Sequence, residues 1–423
     1  MSFYDDASLI MYPSGYKADK IYSLKPTDGS GDFDFARAST ATRVNESGLI
    51  ETVATGVPRI DYTGGGCGSL LLEPQSTNLV TYSSEFDNAA WTKTRLNAFG
   101  SGSVVNAIVS PDGTTNADYI QQETGQTTGG GVSQNLSITG IHSWSLFAKA
   151  SECEFLAIRT RSTTVTSSYF NLTNGTVALA DPDHSNVEIQ SFGNGWYKCS
   201  VSDSGGALAN RFIVGGRDGV SETVTPNNGI YIYGAQLEQG YATSYIPTAG
   251  SQVTRVAETA NGAGDASTFN DSEGVLMAQI SALANDENNR SIAVINNNSN
   301  RISFRYDNSA NRIEFYCIAT TQQYGYLHTL TDIKEILKVA FLYSNNNFQV
   351  WINGIKVDFQ NSGSTPTGLN SLDFKLDGGA NDFYGNTKKL LYFPSALTDA
   401  DLEELTSWVS FSEMATDLKY TIE

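Results

Sequence analysis

Between Arg301 and Ala319 the apolar side chains alternate with polar ones: Ile302, Phe304 and Tyr306 are separated by Ser303 and Arg305, a turn of Asp and Asn follows, and Ile313, Phe315 and Cys317 resume the period. A repeat of two puts successive side chains on opposite faces of a strand, so this stretch predicts a hairpin with one buried face. The pattern returns further on, where Phe348, Val350 and Ile352 share a face, Asn353-Gly354 favours a type I′ turn, and Ile355, Val357 and Phe359 lead back. A turn at Ser344 to Asn347 precedes that second hairpin. Upstream, the short runs "SWSLFAKA", "FLAIRTRS", "GWYKCSVS", "NRFIVGG" and "GIYIYGAQLEQG" recur between turn signals without helical periodicity, as in a sandwich or jelly roll. One segment breaks the rule. In "LTDADLEELTSW", Thr398 can cap a first turn, Asp401 stands three residues later, and Leu402 and Leu405 share a face, which predicts a short helix packed on a sheet edge or plugging the sandwich.

These elements predict an all-β chain of two β-sandwich (jelly-roll) domains with a short C-terminal helix. Residues 1–66 read as an irregular segment without a core of its own, in which "ATRVNESGLIETV" can form a hairpin. The first sandwich is placed at 67–250 and the second at 269–423. The small, polar stretch 251–268 is read as a linker.

Composition sharpens this picture. At 423 residues the chain has room for two or three domains. Charged residues are 17%, and 26 Lys+Arg against 45 Asp+Glu leave a net charge of -19, which repels a phosphate backbone and argues against a nucleic-acid partner. Cys67, Cys153, Cys199 and Cys317 form no C-x-x-C pair, so buried thiols are expected. No apolar run approaches the ~20 residues of a membrane span, and the opening residues lack a signal-peptide pattern, so a soluble chain without membrane insertion is expected.

Catalytic chemistry finds little support. His142, His184 and His328 stand in no metal-type pair and near no nucleophile elbow, and "TGGGCG" and "TTGGGVS" lack the Lys-Ser/Thr of a phosphate loop. No catalytic residue is assigned. Sugar binding needs flat aromatic faces beside amides and carboxylates. The candidates are Trp144, Trp196, Tyr231 and Tyr233 in the first sandwich and Tyr324, Tyr326 and Trp351 in the second. Trp351 is out of phase with Phe348, Val350 and Ile352, so it is expected to point away from the core, toward solvent, a ligand or another subunit.

Several phrases carry a resemblance. "DFARASTATRVNESGLIE", "PRIDY", "LLLEPQSTNLVTYSSEFDNAAW" and "IYGAQLEQGYATSYIPTAGSQVTR" resemble phrases of tailed-bacteriophage virion proteins that enclose a carbohydrate-binding-module-like jelly roll. "KVAFLYSNNNFQVWINGIKV" and "FYGNTKKLLYFPSALTDADLEELTS" resemble a concanavalin A-like, laminin G-type sandwich. The resemblance implies a fibre, spike or decoration protein of the virion, homotrimeric by analogy, bound to other virion proteins and touching a host-surface glycan. The alternatives are a tailspike depolymerase and a purely architectural protein. Concanavalin A-like glycosidases carry an E-x-D-x-x-E strand; here Glu85 and Asp87 are followed by Ala90, and the segment lies in the other module. Such sandwiches often hold one calcium ion. No cofactor is required by the reading, but structural calcium has candidate ligands in Asp377, Asp382 and, if the leucine run pairs with the "YGAQLEQG" strand in a jelly roll, Glu73 and Glu238. As turn acids the same residues need no ion. Phe86 and Trp91 are expected to anchor the core.

Overall fold

The structure, a computed structural model, describes residues 3–160, 167–204, 209–376 and 381–418. Antiparallel sheets dominate it, as the period-two pattern predicts. Two six-stranded sheets form the first sandwich, one containing Gly131–Ser137, Ala209–Arg217 and Phe155–Arg159, the other Thr115–Gln121, Gly229–Gln239, His142–Ala150 and Trp196–Asp203. Between them lie Trp144, Leu146, Ile158, Phe170, Val201, Val214 and Ile232, joined by Phe86 and Trp91, whose rings sit 4.9 Å apart. Both residues are core anchors, as expected.

The second sandwich faces a five-stranded sheet against an eight-stranded one. Phe304 pairs with Phe315 in the first expected hairpin. Asn353 and Gly354 take φ of 51° and 82° in the second, the left-handed pair that a type I′ turn requires. Helix Asp399–Thr406 begins at Thr398, whose side chain accepts from the Asp401 N–H while Asp401 reaches back, a complete capping box. It packs toward the edge of the sheet formed by Ile355–Gln360, as one of the two expected placements has it, and not inside the sandwich. Leu402 and Leu405 pack with Trp351, Ala340, Leu342 and Met277 on the outer face of the eight-stranded sheet. Val275, Met277, Ala340, Leu342, Leu391 and Phe393 make part of that face apolar, and the helix covers it. Among the described residues no helix is long and apolar enough to cross a membrane.

The N-terminal 66 residues depart most from expectation. They have no separate body: Leu9–Met11 and Arg59–Asp61 join the eight-stranded sheet of the second sandwich, and the remaining strands pack against one sandwich or the other. Strand Gly385–Phe393 pairs on one side with Glu273–Ala282; along its other side lie Leu9–Met11, with Leu9 opposite Tyr392, and Ser69–Leu72, with Leu72 opposite Gly385. Arg59–Asp61 then pairs with Ser69–Leu72. The leucine run is thus a strand of the far domain, not the neighbour of "YGAQLEQG": Leu70, Leu71 and Leu72 are all buried, as a run without polar alternation must be. The stretch 251–268 is no flexible linker either. Val253–Arg255 pairs with Ser76–Asn78, and Thr259–Asn261 with Phe33–Ala36. The "ATRVNESGLIETV" hairpin forms, with Val44 opposite Ile50. Its role is to roof the first sandwich, where Ile50 packs with Phe147, Trp196, Tyr233 and Tyr245.

Candidate functional site

Where the two sandwiches meet, the chain buries an ionic cluster. Arg37, Arg59, Arg255, Glu73, Glu238 and Glu258 are each at most 3% exposed. Glu258 takes Arg37 at 2.7 Å and both the Nε and an Nη of Arg59, and it also accepts the Glu73 backbone N–H at 2.9 Å. Glu73 in turn receives Arg59 at 2.7 Å, Arg255 at 2.8 Å and the Ser244 hydroxyl at 2.6 Å. Burial alone would raise the Glu73 carboxyl; Arg255, Arg59 and the two Ser244 hydrogen bonds outweigh it and hold the group at about 2. Glu238 is satisfied by Ser76, Gln236, Thr243 N–H and the Thr243 hydroxyl. Glu73 and Glu238 are held by the protein's own groups: for Glu73, a calcium candidate, arginine supplies the positive charge. The described residues contain no group of three His, Cys, Asp or Glu arranged to hold a metal ion. Asp377 lies outside the described residues.

A cleft of about 690 Å³ lies between the domains, joined to the cluster through Ser76 and Thr243, which line the cleft and donate to Glu238. Gln75, Ser76, Gln239, Tyr241 and Thr243 line it from the first sandwich; Asp286 to Arg290, Asn308, Asn381, Asp382 and Tyr384 line it from the second. Its size is that of small-ligand sites, ~300–1,000 Å³, but its wall is polar. The turn before strand Arg290–Asn297 is shaped by its own side chains: Arg290 pairs with Asp286, Asn288 Nδ2 donates to Asp286 at 2.9 Å, and an Arg290 Nη donates to the Asn288 carbonyl at 3.3 Å. Glu287, at φ 56°, turns the chain between them. On the same wall, the Tyr384 hydroxyl donates to Asp382 at 3.3 Å, yet burial still raises the Asp382 carboxyl. The Arg290 guanidinium lies 6.0 Å from the Tyr241 ring centroid. Burial raises the Tyr241 hydroxyl, and the Arg290 charge beside it opposes that shift; Arg290 Nε is buried with no hydrogen-bond partner among the described residues. Of the residues expected to act in a site, this cleft contains Asp382.

The aromatic candidates lie elsewhere and are mostly covered. Trp144 is fully buried in the first core. Trp196 and Tyr233 lie under the hairpin roof, Trp196 donating to the Val109 carbonyl at 3.1 Å and Tyr233 to Asp112 at 2.9 Å. Tyr231, half-buried, packs 5.2 Å from Tyr119. Tyr324 stacks on Phe348 at 5.4 Å inside the second core and donates to Asp358, while Tyr326, half-buried, meets His328. Trp351 does point away from the Phe348 face, but Leu402 and Leu405 cover it, leaving 5% exposed. The cleft residues went unread because asparagines and acids in "ANDENNRS" look like ordinary turn chemistry. Their density, six Asn, Asp, Glu or Arg in a row from Asn285 to Arg290, is the signal that was there.

No protein-family model matches the chain, and no curated protein matches it. Solved structures do. Domain 4 of AbnA, a GH43 extracellular arabinanase from Geobacillus stearothermophilus determined with arabinotriose, matches at 13% identity over 40% of this chain and 83% of that one, with a TM-score of 0.30. The CBM40 of the Ruminococcus gnavus IT-sialidase, bound to α2,3 sialyllactose, matches at 14% identity over 34% and 91%, TM-score 0.28. Domains LG4-5 of the mouse laminin α1 chain match at 9% identity over 64% and 89%, TM-score 0.25. At these scores none carries a function to this chain.

Proposed function

We propose that this chain is a glycan-binding attachment protein and that the cleft between its sandwiches receives the sugar. One observation carries the reading: a cleft of about 690 Å³ whose wall combines amides, hydroxyls, two tyrosines and three carboxylates. Side-chain amides both donate and accept, which matches the hydroxyls of a sugar ring. Tyrosine adds an apolar face with a polar tip. The finer reading places the protein on a tailed-phage particle, as a homotrimeric fibre or decoration held by other virion proteins and touching host-surface glycans. Its support is the set of phrases that resemble phage virion proteins. Arg37, Arg59, Glu73, Glu238 and Arg255, five of the six residues of the ionic junction, lie within those phrases. Several copies on one particle would turn weak single-site binding into useful avidity.

The test is a glycan array followed by titration of hits on Tyr241→Phe. That change removes a hydroxyl and keeps the ring that lines the cleft, so the fold is expected to be retained while affinity drops about 5- to 10-fold, the value of one hydrogen bond. An array without hits rejects the proposal. A second reading, hydrolysis, is favoured by a raised Asp382 carboxyl sharing the cleft with Asp286. Incubation with host polysaccharide is expected to yield no new reducing ends; their appearance would make the protein a depolymerase.

A further inference from the structure

We infer that the junction cleft selects uncharged, hydroxyl-rich oligosaccharides and rejects those bearing carboxylates; this rests on the glycan reading above. The lining residues include three acids, Asp286, Glu287 and Asp382, against one cation, Arg290. A site for uronic or sialic acids needs a guanidinium or ammonium free to meet the sugar carboxylate, ideally as a bidentate fork. Arg290 is not free in that sense. It is 2% exposed, one Nη is held by Asp286, and an Nη also serves the Asn288 carbonyl. The arginines of the buried ionic cluster, Arg59 and Arg255, do not line the cleft and are paired with Glu73 and Glu258.

An acidic sugar would therefore bring a carboxylate toward Glu287 and Asp382 with no partner for it, and desolvating an unpaired charge is costly. A neutral sugar meets the opposite situation. Asn288, Asn289, Asn308 and Asn381 on one wall and Gln75 and Gln239 on the other present both donors and acceptors, and Asp286 and Asp382 can accept from sugar hydroxyls. The exclusion is local, so salt does not abolish it. The protein's net charge of -19 adds a longer-range repulsion of polyanions, which screening over ~8 Å at physiological ionic strength weakens.

The experiment titrates the full-length protein with a neutral oligosaccharide panel and with matched chains in which one sugar is replaced by its uronate or capped by sialate, at low and at physiological salt. Neutral chains are expected to bind, and their acidic counterparts at least tenfold more weakly at both salt levels. Equal or tighter binding of the acidic chains overturns this inference and leaves the glycan reading standing. Absence of binding to both panels overturns the glycan reading itself, and the inference with it. A folded Glu287→Gln/Asp382→Asn double variant, checked by its circular dichroism, is expected to narrow the neutral-to-acidic gap to under threefold. A gap that stays at tenfold in that variant also overturns the inference, since the discrimination would then come from somewhere other than these acids.

Discussion

Glu258 shows how much one carboxylate can hold. It is 1% exposed and takes both Arg37 and Arg59 as well as a backbone N–H. A buried ion pair is weak evidence for stability as such, but removing one partner strands the other. Glu258→Ala would leave two guanidinium groups without their main counter-charge, so a loss of about 3–5 kcal/mol is expected in urea unfolding. A loss below about 1 kcal/mol would mean that water reaches the cluster. Two other acids give the protein a pH profile. The Asp118 carboxyl is buried, and burial raises it to about 6 although it accepts backbone N–H groups from Phe86 and Asn106. Its folded value exceeds its unfolded one, so stability rises as pH falls from about 6 toward 4. Glu73 is the reverse: held at about 2, it contributes stability above pH ~4.5 that is lost as pH falls through that window. Melting temperature is thus expected to peak a little above pH ~4, where the Asp118 gain and the Glu73 loss balance, and Asp118→Asn to flatten the rise between pH 7 and 5. A curve that falls steadily from pH 7 downward would contradict the Asp118 assignment. None of these roles was legible from the sequence. Arginine and glutamate read as surface residues, and their partners lie up to 221 positions away, the separation of Arg37 from Glu258.

At the scale of elements, what could be read was what is local. Alternation from Ile302 to Cys317, the Asn353-Gly354 turn and the Thr398 cap depend on residues within a few positions of one another. What could not be read was the partner of each strand: Leu9 meets Tyr392 across nearly the whole chain. Trp351 shows the limit well, since its phase gave the direction and its neighbours decided what lay there. Phase says which face a side chain takes; whether a helix covers that face is a tertiary fact. The aromatic candidates share that history, because an aromatic buried against a sheet and one offered to a sugar have the same sequence signature. If Trp351 is a packing residue under helix Asp399–Thr406, Trp351→Ala is expected to cost about 3–5 kcal/mol and to leave the affinity of the folded protein for its glycan unchanged. Loss of binding at full stability would return Trp351 to the ligand.

The whole molecule is held together by strands that cross between its parts. The second sandwich takes Leu9–Met11, Arg59–Asp61 and Ser69–Leu72 from ahead of the first, so the first is in effect inserted between pieces of the second. At the point of insertion the chain passes twice, outward as Ser76–Asn78 and back as Val253–Arg255, and these two passages pair with each other. Glu73 and Glu258 flank that pair, so the ionic cluster ties both crossings to the N-terminal strands at once. Such an arrangement makes the parts interdependent. Residues 269–423 expressed alone would expose the side of Gly385–Phe393 that Leu9–Met11 and Ser69–Leu72 cover, together with apolar surface at Leu390 and Tyr392, an edge prone to aggregation. The isolated fragment is expected to be insoluble or to lack a cooperative melt, whereas the full chain unfolds in one calorimetric transition. Glu258→Ala, by loosening the junction without touching either core, is expected to split that transition into two. Two transitions already present in the unmodified protein, or a fragment that melts cooperatively at the full chain's temperature, would show that the sandwiches stand independently and that the buried charges merely fill the space between them.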